Sequence, residues 1–148
     1  MTGTRLIGYG RVRNDPADFH DQYTRLRDLG VAEEDIHWDR GRTGHLVSQE
    51  GLTDALASTR PGDTLVITAL DRLAPSLEAL EELTPQLIDR EIRLSVGGLL
   101  LDPANEAGRS VFDTFLLVAA CHTELAQQRG HDMREAFLDT LSRLGRTA

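Results

Sequence analysis

Arg5-Leu6-Ile7-Gly8-Tyr9-Gly10-Arg11-Val12-Arg13 opens as an apolar run and ends in two arginines one residue apart. Leu6–Gly10 reads as a strand, in which alternate residues share a side. Arg11 and Arg13 then leave the strand end together, with Val12 on the other side. A buried strand that delivers charged side chains at its C-terminal end is how an open α/β sheet builds a site for an anion. The remaining chain is read as the scaffold around that end.

Outward from this strand, strand-like and helix-like segments alternate. Asp15-Pro16 predicts a helix N-cap and first helical position. Phe19, Tyr23, Leu26 and Leu29 recur at helical spacing, and Gly30 ends the helix. Ile36–Asp39 reads as a second strand, and Arg40–Ser48 as a mobile Arg/Gly/Thr loop. A helix is expected over Gln49–Thr59. Thr64–Leu70 is the strongest strand, apolar enough for a central position covered on both faces. Asp71-Arg72-Leu73 leaves its C-terminal end. A helix over Ser76–Arg90 follows, kinked or divided at Pro85. Ile92–Val96 reads as the last strand, with Gly97-Gly98 in the loop beyond. From Asn105 the pattern is helical almost to the end. Val111, Phe115, Val118, His122 and Leu125 form one stripe, with Phe112, Leu116 and Ala119 beside it, and Gly130 is expected to break or bend the helix. So wide a stripe implies burial against a second chain as well as against its own domain. The alternation predicts an α/β fold with a mostly parallel sheet flanked by helices. Residues 1–103 form its body and 104–145 a long dimerisation helix, all in one domain.

Composition narrows the function. The 148 residues suit one core, and no apolar run could span a bilayer, so the expected location is the cytoplasm. The single Cys121 allows no internal disulfide or multi-cysteine metal centre, and the histidines lack ligand spacing. No metal or cofactor is expected. Every one of the sixteen basic residues is arginine, which excludes Schiff-base and phosphate-loop lysines. A net charge of −8 argues against strong DNA binding by this chain alone.

Gly8-Tyr9-Gly10-Arg11-Val12, Arg60–Val66, Leu70-Asp71-Arg72-Leu73 and Gly108-Arg109-Ser110-Val111-Phe112 occur in an order that resembles the catalytic domain of serine recombinases, the resolvase/invertase family. The resemblance covers Arg5 to Arg134. It implies a flavodoxin-like or Rossmann-like domain ending in a dimerisation helix. It also implies metal-free chemistry in which a serine attacks a DNA phosphodiester while arginines stabilise the charge and an aspartate assists. The guanidinium cluster read from the residues agrees with that chemistry.

The departures are concentrated in the chemistry. The family's serine falls on Arg13, which cannot form a phosphoester. Its mobile-loop arginine falls on Gln49 and its second Asp-Arg-Leu-x-Arg arginine on Pro75, while the acidic helix pattern falls on Ala120-Cys121-His122. Tyr9, Arg11, Asp71 and Arg72 remain, with Gln22 and Asp39. The bland reading is a remnant ion-pair network in which Asp71 neutralises Arg11 or Arg72. The sharper readings are non-catalytic phosphate binding, or cleavage with Thr43, Ser48 or a partner's serine as nucleophile. Cys121 is expected to be packed beside His122 at the helix seam, and Trp38, Phe112 and Phe115 to belong to the core. The Arg129–Ala148 segment, with four arginines against three acids, reads as neither a helix-turn-helix nor a basic arm, so no DNA-binding domain is expected. The expected protein is an inactive recombinase-like domain acting as a homodimer, or as a heterodimer with a recombinase that it regulates.

Overall fold

The computed structural model describes residues 4–13, 15–41, 50–74 and 76–146. Among the described residues, five strands form one sheet in the order β2-β1-β3-β4-β5. They are β1 (Leu6–Arg13), β2 (Ile36–Gly41), β3 (Thr64–Ile67), β4 (Arg93–Val96) and β5 (Leu99–Leu101), and only the β4–β5 pair is antiparallel. The helices are α1 (Pro16–Asp28), α2 (Glu50–Ser58), the single turn α3 (Leu70–Leu73), α4 (Leu77–Asp89) and α5 (Glu106–Arg146). The α/β class with a long terminal helix is as the sequence predicts.

Alternation along β1 sorts the layers. Ile7 and Tyr9 enter a core with Leu52 and Ala55 of α2, Leu83 and Leu87 of α4, and Phe112 of α5. Leu6 packs on the other face with Leu26 of α1, Val31, Val66 and Trp38. The Trp38 ring lies so close over Gly10 that a Cβ there would stand 2.2 Å from it. Phe112 is fully buried and meets the half-buried Phe115 edge-on at 6.1 Å. Asp15 caps α1 by accepting from the Ala17 amide at 3.0 Å, with Pro16 at the first helical position.

Several boundaries differ from the sequence reading. β1 runs to Arg13 and β2 to Gly41, so Arg40 belongs to a strand and stacks over Phe19 at 4.4 Å. β3 stops at Ile67, and Leu70 starts α3 instead of ending a strand. Pro85 does not divide α4. It lies on the exposed side, while Leu80, Leu83, Thr84 and Leu87 hold the inner side continuously. Gly130 does not break α5, whose helix is uninterrupted through it. β4 is not the last strand: Gly97 and Gly98, at φ 57° and 95°, turn the chain straight into β5. Two consecutive residues of positive φ are what a tight two-residue hairpin needs. The expected loop nucleophiles Thr43 and Ser48, with Gln49 and Pro75, lie outside the described residues.

Candidate anion site at the open edge of the first strand

The sheet order reverses at β1, and the pairing there is uneven. β2 accompanies β1 from Gly8 to Arg13, whereas β3 pairs only with Leu6–Gly8. Among the described residues, no strand lies beside that edge of β1 from Tyr9 onward. Such a crevice at a switch point is where open α/β sheets place ligands.

Side chains close that edge. Gln22 of α1 acts as a substitute strand: its Oε1 accepts from the Arg11 amide at 3.3 Å, and its Nε2 donates to the Arg11 carbonyl at 2.9 Å. Arg72, projecting from α3, donates from Nη1 to the same carbonyl at 3.2 Å and from Nη2 to Asp18 Oδ1 at 3.0 Å. Asp18 Oδ2 also accepts from Gln22 Nε2 at 3.1 Å. All of these groups are buried or half-buried, so each bond forms in reduced dielectric and leaving one unmade costs more than at the surface.

On the α2 face a second chain of bonds runs from Arg11. Its Nε donates to the Tyr9 hydroxyl at 3.3 Å, and that hydroxyl donates to Asp39 Oδ2 at 2.8 Å. Asp39, only 3% exposed, also accepts from the amides of Gly51 (2.7 Å) and Leu52 (3.1 Å) at the start of α2. A carboxylate on β2 therefore supplies the cap that α2 needs. The α2 backbone comes close enough that a Cβ on Gly51 would stand 2.3 Å from the Trp38 carbonyl oxygen. Arg11 is 7% exposed, and its Nη2 is buried without a hydrogen-bond partner among the described residues.

Burial pushes the Tyr9 phenol far above its ordinary range; the Arg11 hydrogen bond opposes that shift and Asp39 reinforces it. The folded state thus keeps a proton that the unfolded chain loses above about pH 10. Stability should fall as pH rises beyond that point, by up to about 1.4 kcal/mol per pH unit from this one group. Urea melts from pH 9 to 11.5 should show the slope in the wild type and a shallower one in Tyr9→Phe.

The pattern of the family described as Resolvase, N terminal domain, matches residues 6–137. The chain belongs to that family. It is 32% identical over 124 residues to the serine recombinase gin of Escherichia phage Mu, covering 84% of this chain and 63% of that one. It is 30% identical over 125 residues to the transposon Tn552 resolvase of Staphylococcus aureus, covering 83% and 62%. An integrase-like protein of Sinorhizobium fredii is 29% identical, covering 83% and 66%. The chain spans just under two thirds of the length of these curated relatives. The N-terminal catalytic domain of TP901-1 integrase shares the fold, with a TM-score of 0.60 at 18% identity, over 82% of this chain and 98% of that domain.

In this resolvase-family domain the structure joins Arg11 and Arg72 through the Arg11 carbonyl, but it leaves Asp71 out. Asp71 is exposed and makes no hydrogen bond or ion pair to described residues; the carboxylate that neutralises Arg72 is Asp18. The cause is geometric. The single turn α3 buries Leu73, and a residue two positions earlier on a helix points the opposite way. The Arg13 backbone ends β1 opposite Gly41, and its side chain lies outside the described set. Sequence reasoning missed Asp18, whose only signal was an acid in the first turn of α1.

The expected dimer stripe is divided. Val111 and Phe115 are half-buried against this chain's own core, while Val118 and Leu125 are 48% and 50% exposed. Leu117 is exposed as well, and exposed Phe137, Leu138 and Leu141 continue the apolar surface beyond Ala119, the last fully buried residue described on α5. Cys121 is exposed and not packed, because α5 has begun to leave the body there. His122 is exposed too and lies 3.7 Å from Glu78 of α4. Among the described residues no helix is long and apolar enough to cross a membrane.

Proposed function

We propose that this resolvase-family domain does not cut DNA itself and acts in recombination through association along α5, with a second copy or with a serine-bearing relative. The observation that carries this reading is the state of the retained cluster. Its one hydroxyl is the Tyr9 phenol, fully buried, donated to Asp39 and held protonated, while Arg13 occupies the position where the resemblance puts the serine. Arg72, Gln22 and Asp39 are spent on the β1 edge and the α2 cap. The relatives' names attach serine recombination and transposon resolution to this family. With a net charge of −8, any DNA contact by this chain would be weak unless a partner supplies the basic surface.

A second reading, cleavage with a nucleophile supplied by a partner, is favoured by one feature: Arg11 Nη2, without a partner among the described residues, leaves a donor for an incoming oxyanion.

Sedimentation velocity at micromolar concentration tests association. The wild type should sediment as a dimer. Val118→Glu with Leu125→Glu should sediment as a monomer with an unchanged circular dichroism spectrum, since both residues are half-exposed. A monomeric wild type that also fails to bind a serine-bearing relative would overturn the proposal.

A further inference from the structure

Asp18 sits on the first turn of α1 with its side chain only 20% exposed. Its two oxygens accept from Arg72 Nη2 and Gln22 Nε2. The other prong of the Arg72 guanidinium rests on the Arg11 carbonyl, so its fork lies across the open edge of β1, tied to the α1 side. The Arg11 side chain leaves β1 on the opposite face, with Tyr9, and keeps one buried nitrogen without a partner among the described residues. Two guanidiniums on opposite sides of the β1 edge are therefore held apart, one taken by an internal carboxylate and the other a bond short among the described residues.

We propose that Asp18 is a resident counter-ion that keeps this crevice closed to oxyanions, and that removing its charge frees Arg72 to join Arg11 around a phosphate group. This rests on the non-catalytic reading of the site and deepens it. A carboxylate and a phosphate offer a guanidinium fork the same kind of paired oxygens, so they compete for the same donors. Asp18 has two advantages as the internal competitor. It is covalently tethered, and it stands at a helix N-terminus that favours negative charge.

The test is titration of the full chain with inorganic phosphate and, separately, with a short DNA duplex, following the arginine Nε–H resonances. Asp18→Asn should bind phosphate at least about tenfold more tightly than the wild type, and the double variant Asp18→Asn/Arg72→Gln should lose that gain. Asp18→Ser, run beside it, should show the same gain if α1 tolerates asparagine poorly. Asp21→Asn makes the same change of net charge on the exposed side of α1 and should give no gain. A gain for phosphate alone assigns free phosphate as the ligand; a gain that extends to the duplex assigns the phosphodiester backbone. An equal gain in Asp21→Asn, a gain that survives loss of Arg72, or folded Asp18 variants that bind neither probe more tightly would overturn the proposal. None of these readouts depends on strand cleavage, so this inference and the proposed function can fail separately.

Discussion

Asp39→Ala should destabilise the domain by about 3–5 kcal/mol, the usual cost of removing one member of a buried charged network. The substitution takes three bonds at once: those from the Tyr9 hydroxyl and from the Gly51 and Leu52 amides. It uncaps α2, and it leaves Arg11 buried without the carboxylate to which Tyr9 links it. A domain of this size has about 5–15 kcal/mol in total, so the variant should be partly unfolded at physiological temperature. Asp39→Asn keeps a carbonyl acceptor and should lose clearly less. Equilibrium urea denaturation decides it, and a loss under about 1 kcal/mol for Asp39→Ala would mean that the network does not hold α2.

Gly108→Ala should cost about 2–3 kcal/mol through overpacking. An added Cβ would stand 2.1 Å from the Asp102 carbonyl oxygen and 2.7 Å from the Asp102 nitrogen. Both are backbone atoms, so no side-chain rotation relieves the clash. Either α5 moves off the loop after β5 or the loop gives way, and Phe112, one helical turn on, leaves its fully buried place. Thermal melts should show the loss. The α5 surface should loosen with it, read as faster amide exchange over the first turns of α5 than in the wild type. This close approach explains why glycine opens the Gly108–Phe112 stretch that carried part of the family resemblance.

The layered α/β architecture was legible because its signals are local. Asp15-Pro16 and Gly30 bracket α1 as caps do, and the apolar run at Thr64 gives the central strand. Short elements escaped because three or four residues show no period: α3 is one turn, and β5 is three leucines. For β5 the signal was nonetheless present, since Gly97-Gly98 between two apolar runs marks a hairpin. The site was half legible. Arg11 and Arg72 could be placed at adjacent strand ends, and Gln22 and Asp39 were reached by resemblance. Asp18 could not be paired with Arg72, 54 residues away, because an acid in a first helical turn ordinarily reads as solvated dipole compensation. Asp71 looked like the neutralising acid for the opposite reason: it adjoins Arg72 in sequence, and adjacent helical residues do not face each other.

On the proposed function, the retained polar cluster serves the fold and the domain's association rather than strand cleavage. The most direct test of this claim is trapping of covalent protein–DNA adducts. The protein is incubated with DNA of the organism that encodes it, alone and with a serine-bearing relative, then denatured in detergent, and DNA bound to this chain is counted. The relative on its own recombination site serves as the positive control. The expected result is no adduct on this chain under either condition, at the level given by Arg11→Ala. Adduct on this chain above that background, lost in Arg11→Ala and Arg72→Gln, would contradict the claim and make this a working nuclease site.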